Sequence, residues 1–143
     1  MGQQQLLLVI LVTIIVGIAT VVAINTFGSA ADSANLDAVR QDVASIAASA
    51  QGYYMKPEML GGGGQDFTNM TFNDIAFAAD SVINSGLTAV NANGTYIFGT
   101  GTSTEMPITA HPSSCDGYTP GTGCTETADQ LSGDIEADDL TWD

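Results

Sequence analysis

The chain has 143 residues, with two Lys or Arg side chains against sixteen Asp or Glu and a net charge of -14. So acidic a sequence has no basic footprint for nucleic acid, and anionic lipid headgroups repel its polar part. With its long apolar N-terminal stretch set aside, the remainder is enough for one small domain, near the lower limit for a self-sufficient core.

Residues 6–24 read LLLVILVTIIVGIATVVAI, an uncharged run whose only polar side chains are Thr13 and Thr20 and whose only glycine is Gly17. At about 1.5 Å per residue, a helix over this run spans roughly 28 Å, close to the roughly 30 Å hydrocarbon core of a bilayer. It is apolar on every side, which places it in lipid or at the centre of a protein bundle. A cleaved secretory signal needs a basic leading region and a shorter apolar core. MGQQQ carries no basic side chain, so the segment is expected to stay on the chain as an anchor. The first basic residue is the distant Arg40, which leaves the positive-inside rule almost nothing to act on. The acidic domain and its cysteines set the orientation, N-terminus in and C-terminus out.

The helical pattern continues past the apolar run. Ala30, Ala34, Leu36, Val39, Val43, Ile46, Ala47 and Ala50 recur at spacings of about three and four, one apolar stripe on an otherwise polar helix. Asp32, Asp37, Arg40 and Asp42 are read as lying on other faces. Gly52-Tyr53-Tyr54 and Pro57 end the helix. Three segments follow from this: a helix over 1–54, a glycine-rich linker over 55–65, and a β-rich domain over 66–143.

The linker, KPEMLGGGGQ over 56–65, reads as a flexible connection. It is not a phosphate loop, since no Lys-Ser/Thr follows the glycines. Residues 67–72 and 74–77 read as short strands. Residues 87–90, Asn93-Gly94 and 95–98 read as strand, turn and strand, because Asn-Gly between apolar alternations signals a hairpin. Residues 105–110 and 140–142 are weaker strand candidates. The expected fold is α+β: an antiparallel sheet of three to five strands laid against the second half of the helix. Tyr96, Phe98 and Ile108 are the expected core, facing Val43 and Ile46.

Cys115 and Cys124 bracket DGYTPGTG, a run of turn formers that lets the chain double back and pair the thiols. A disulfide across so short a loop contributes roughly 2–3 kcal/mol and implies an oxidising, extracytoplasmic setting. Zinc is the rival reading, but two cysteines and a single histidine make a poor ligand set. That histidine, His111, reads as a surface-loop residue, and nothing resembles a nucleophile elbow. The acidic tail holds Asp134, Glu136, Asp138 and Asp139. These are either a solvated face or weak calcium candidates, with a spacing that does not match an EF-hand. Asn69 and Asn93 open two N-x-Thr sequons, weak candidates for glycosylation. No cofactor and no enzymatic activity are expected.

The order of segments resembles the type IV pilins and pseudopilins. A short N-terminus runs into about twenty apolar residues, followed by an amphipathic half-helix, an alanine-rich segment and a small β domain with a cysteine pair. The resemblance covers residues 2–54 most clearly and is one of layout beyond. It implies an inner-membrane anchor before assembly and a helical filament core afterwards. That core would be built from Leu6, Leu7, Leu8, Val9, Ile10, Leu11, Val12, Ile14, Ile15, Val16, Gly17, Ile18, Val21 and Val22. Gly2 matches the glycine where such leaders are cut. The family's glutamate at the fifth mature position is missing: counted from Gln3 the residue is Leu7, and counted from Met1 it is Gln5. A buried carboxylate is costly unless paired, so a neutral Gln5 is the cheaper substitute.

The first expectation is thus a structural subunit that polymerises with itself into an extracellular filament at the bacterial surface, with the inner membrane and a pilus assembly machinery as its earlier partners. A pseudopilin of a secretion machine and a single-pass membrane-anchored binding domain are the alternatives. A plain anchor needs only the apolar run, so the stripe continuing to Ala50 favours assembly.

Overall fold

A computed structural model describes residues 2–143. One helix, α1, runs Gly2–Met55, followed by six strands: β1 Ser81–Ile83, β2 Thr88–Val90, β3 Gly94–Phe98, β4 Glu105–Pro112, β5 Leu131–Glu136 and β6 Leu140–Trp142. The architecture is α+β, as expected. The chain divides into two compact units, the first ending at Ala34 and the second running Asn35–Asp143. α1 contributes to both.

In the first unit the helix carries no proline and no charge before Asp32. Its hydroxyls turn back on the helix: Thr13, Thr20 and Thr26 donate to the carbonyls of Val9, Val16 and Val22 at 2.6, 2.8 and 2.9 Å. This back-bonding leaves the polar side chains satisfied without water.

In the second unit α1 buries one stripe, Val39, Val43, Ile46, Ala47 and Ala50, the spacing of a single helical face. The stripe lies on a sheet whose strands follow chain order from β1 to β6, every neighbour antiparallel. Tyr96, Phe98 and Ile108 are buried with Val43 and Ile46, as expected from the sequence. Phe72 stacks on Phe98 with ring centroids 4.0 Å apart, and Tyr54 stacks on Phe67 at 4.6 Å.

Several sequence readings are corrected. Residues 67–72 and 74–77 form turns, not strands, although Phe67, Met70, Phe72 and Ile75 do enter the core. Local bonds win over a ladder here: the Thr68 N–H donates to Asp66 Oδ1 at 2.7 Å, and the Thr71 N–H to Asp74 Oδ2 at 3.0 Å. Such short-range side-chain bonds give the backbone an alternative to sheet pairing. Conversely β1 and β5 are strands the apolar pattern did not announce, which raises the count to six. β5 lies inside the acidic tail, with Gly133 and Ile135 buried and Asp134 and Glu136 half-buried between them.

The β2–β3 hairpin forms, but Asn93-Gly94 is not its central pair. Val90 pairs with Thr95, and the Asn91 N–H donates to Gly94 O at 3.0 Å, so Ala92 and Asn93 occupy the turn. Asn91 Oδ1 accepts the N–H groups of Asn93 and Gly94 at 3.0 and 3.1 Å, an Asx turn. Gly94 serves a different need, since a Cβ there would stand 2.2 Å from the His111 carbonyl oxygen.

The glycine-rich connection is a folded helix ending. Gly63 N–H donates to Tyr53 O at 2.9 Å, Gln65 N–H to Tyr54 O at 2.8 Å and Gly64 N–H to Lys56 O at 3.0 Å. These bonds occupy carbonyls that a helix C-terminus leaves without partners.

Candidate membrane and assembly segment

In the first unit the apolar side chains have no cover. Leu6, Leu7, Leu8, Val9, Ile10, Leu11, Val12, Ile14, Ile15, Val16, Ile18, Val21 and Val22 are each at least 48% exposed, and Gly17 has open space around it. An 18-residue window of this helix has a mean hydropathy of 3.2 with no part buried, so by length and composition it can cross a membrane. Each large aliphatic side chain gains about 1.5–3 kcal/mol on full burial. The segment therefore has a strong drive toward lipid or toward other apolar helices.

In the second unit a polar junction joins α1 to the sheet. Asp42 Oδ2 accepts three hydrogen bonds, from the Tyr96 hydroxyl at 2.6 Å, Asn93 Nδ2 at 2.8 Å and Asn91 Nδ2 at 2.9 Å. Burial pushes the Asp42 carboxyl upward, but the bonds from Asn93, Tyr96 and Asn91 outweigh it and hold the pKa below the ordinary carboxylate value. Burial, then the bond and charge of Asp42, push the Tyr96 hydroxyl up. The pair is therefore carboxylate and neutral phenol. Asn35 makes a second tie: its Nδ2 donates to Asn93 O at 2.9 Å and Ser113 Oγ at 3.1 Å, while its Oδ1 accepts the Ser114 N–H at 3.1 Å. The sequence reading put Asp42 off the apolar stripe, yet it lies one residue from Val43 and four from Ile46, half-buried at the edge of that stripe. That spacing was the available signal.

Cys115 and Cys124 are disulfide-bonded. Their loop folds onto the sheet face opposite α1: Tyr118 Oη and the Gly121 N–H reach Thr95 Oγ1 at 2.9 and 3.1 Å. His111 is not in a surface loop. It lies in β4 and is only 6% exposed. Its Nδ1 accepts the Cys124 N–H at 3.2 Å, and a Cβ at Gly123 would stand 2.4 Å from its ring. The imidazole pKa is lowered by burial. His111 is thus a packing post for the disulfide loop.

The other sequence candidates are dispersed. Asp134 and Glu136 stand on β5, with Glu136 directly opposite Glu105 on β4, while Asp138 and Asp139 lie exposed in the β5–β6 turn. Among the described residues no three His, Cys, Asp or Glu side chains gather as a metal-ligand set. Asn69 is exposed, whereas Asn93 is half-buried and commits its amide to Asp42. Gly2 opens α1 with open space around it. Compared with known proteins, the chain matches no protein family, no curated protein and no solved structure.

Proposed function

We propose that this chain is a structural subunit that polymerises with itself, through its N-terminal helix, into an extracellular helical filament. The observation that carries the proposal is the uncovered apolar run of the first unit. In water such a surface is costly, at about 25 cal/mol per Å². Before assembly the inner membrane covers it, with the N-terminus inside and the disulfide-bearing unit outside. After extraction by an assembly machinery, the same helices from neighbouring copies cover one another. A contact between unlike surfaces that does not close on itself generates an open helical array. The second unit, with its satisfied junctions and disulfide, is the outer layer of that array. A pilin-like subunit is the family reading most consistent with a long apolar helix, an antiparallel sheet and a disulfide.

The second reading is a single-pass anchor carrying an extracytoplasmic domain, which the same membrane-length span favours. Electron microscopy of material sheared from cells separates the two, together with mass spectrometry of the subunit's N-terminus. Thin helical filaments made mainly of this chain support assembly, and the N-terminal mass reports whether the chain is cut after Gly2. A chain found only in the membrane fraction, without filaments, overturns assembly in favour of the anchor.

A further inference from the structure

We propose that the folded chain carries an N-linked glycan on Asn69, and that Asn93, the other N-x-Thr asparagine, stays bare. The inference goes beyond assembly and rests on that reading only in placing the second unit outside the membrane. Both asparagines open the acceptor motif, Asn69-Met70-Thr71 and Asn93-Gly94-Thr95, but the fold treats them differently. Asn69 stands exposed at the corner of a turn that the Met70 N–H closes on the Phe67 carbonyl at 3.0 Å. It lines a groove of about 340 Å³ with Tyr53, Glu58, Gly62, Gly63 and Asp66. That groove suits the first sugar of a glycan. The Tyr53 ring offers an aromatic face, and the carboxylates of Glu58 and Asp66 can accept from sugar hydroxyls.

Asn93 has no such room. Its Nδ2 donates to Asp42 Oδ2 at 2.8 Å and its carbonyl accepts from Asn35 Nδ2 at 2.9 Å, which clamps the residue between α1 and the β2–β3 turn. A sugar on that nitrogen would push Asp42 away and leave the buried Tyr96 hydroxyl without its acceptor, a costly loss. A copy modified there before folding cannot close the junction. At Asn69 the neighbouring buried side chains belong to Met70 and Phe72, so the core does not depend on the asparagine. Met70 is buried, and Thr71 Oγ1 donates to Asp74 Oδ2 at 2.7 Å. The folded turn therefore holds two residues of the motif, and transfer precedes its folding. The donor is an oligosaccharide on a lipid phosphate. Asn69 Nδ2 bonds the anomeric carbon, the bond from that carbon to the phosphate oxygen breaks, the lipid phosphate leaves with the electron pair, and the amide releases one proton.

The test is mass spectrometry of the full chain taken from the cells that make it, with peptide mapping across both motifs. The peptide that spans Asn69 should exceed its sequence mass by an oligosaccharide, and the one that spans Asn93 should not. Asn69→Gln and Thr71→Val, made separately, should each abolish the excess. Thr71→Ser keeps the hydroxyl that the acceptor motif requires and should retain it, which guards against any disturbance at residue 69 itself. A bare Asn69 or a glycan on Asn93 overturns the proposal. So does an excess that survives Thr71→Val, since the sugar then sits on another side chain of that peptide. Bare Asn69 in sheared filaments overturns the modification and leaves assembly standing. Glycosylated Asn69 on a chain found only in membranes leaves the modification standing and overturns assembly.

Discussion

The Tyr96 hydroxyl donates to Asp42 Oδ2 at 2.6 Å, joining the middle of the sheet to the face of α1 that covers it. Tyr96 is wholly buried, so this phenol has no water to fall back on. The same oxygen collects Asn91 and Asn93 from the β2–β3 turn, and one carboxylate thereby fixes both strand position and turn conformation.

Removing Asp42 should therefore cost more than an ordinary helix substitution. Asp42→Ala leaves the buried Tyr96 hydroxyl and two amides short of an acceptor, a loss of about 1–3 kcal/mol for each group left unsatisfied. Tyr96→Phe, which removes one donor, should cost less. The checking measurement is urea unfolding of the full chain in detergent, followed by Trp142 fluorescence. Equal stability of Asp42→Ala and the unaltered chain would refute the role. The folded pKa of Asp42 is lowered, so its contribution is full above about pH 3.9 and is lost as pH falls through the folded value. Asp42→Asn should flatten that acid limb.

His111 should produce a separate step at higher pH. Its pKa is also lowered in the fold, so the unfolded chain takes up the proton first as pH drops below about 6.5. Stability is complete above that value and declines as pH falls through the folded pKa. Protonation also puts a donor where Nδ1 accepts the Cys124 N–H. Relative to its intrinsic rate, hydrogen exchange at Cys124 and Gly121 should quicken as pH falls through the lowered folded pKa, and His111→Asn should remove the step. Exchange rates that follow only the intrinsic pH dependence would exclude it.

The disulfide loop should prove structural. Cys115→Ser with Cys124→Ser should cost roughly 2–3 kcal/mol and expose Thr95, whose hydroxyl meets Tyr118 and Gly121 of that loop. Far-ultraviolet circular dichroism should change little, because the sheet retains its packing on α1. A wholesale loss of β signal would show instead that the loop is needed for the sheet to form.

How far the sequence reaches depends on the range of the interactions involved. The apolar run, the stripe at Val39, Val43 and Ile46, and the core at Tyr96, Phe98 and Ile108 are visible because periodicity reports burial directly. The strand readings fail where local hydrogen bonding outweighs pattern, as at Asp66 with Thr68 and Asp74 with Thr71. β5 was obscured by its acids: Asp134 and Glu136 alternate with Gly133 and Ile135, but the charge of the tail reads as solvated. His111 looked exposed because the Pro112 and Ser113 that follow it suggest a loop. Its burial depends on Gly123, twelve residues onward, which carries no apolar signal of its own.

Assembly should weaken as salt is withdrawn. Each copy carries -14, while the helices that the proposed assembly would bring together carry no charge over residues 6–24. Attraction and repulsion therefore respond to different conditions. At 0.1 M salt the screening length is about 10 Å, and at 0.01 M about 30 Å, longer than the separation of neighbouring surfaces in any close-packed array. Dilution should thus raise repulsion between outer units without changing the drive to bury the helices. Sodium chloride is the proper variable, since sulfate would also strengthen apolar association. The fraction of chain that pellets with sheared filaments should rise between 0.01 and 0.5 M sodium chloride, and sucrose of equal osmolality should not reproduce the rise. Replacing Asp138, Asp139 and Asp143 by Asn should shift the curve toward lower salt. A pelleted fraction that stays constant across that range would mean that the acidic surfaces lie too far apart to oppose assembly.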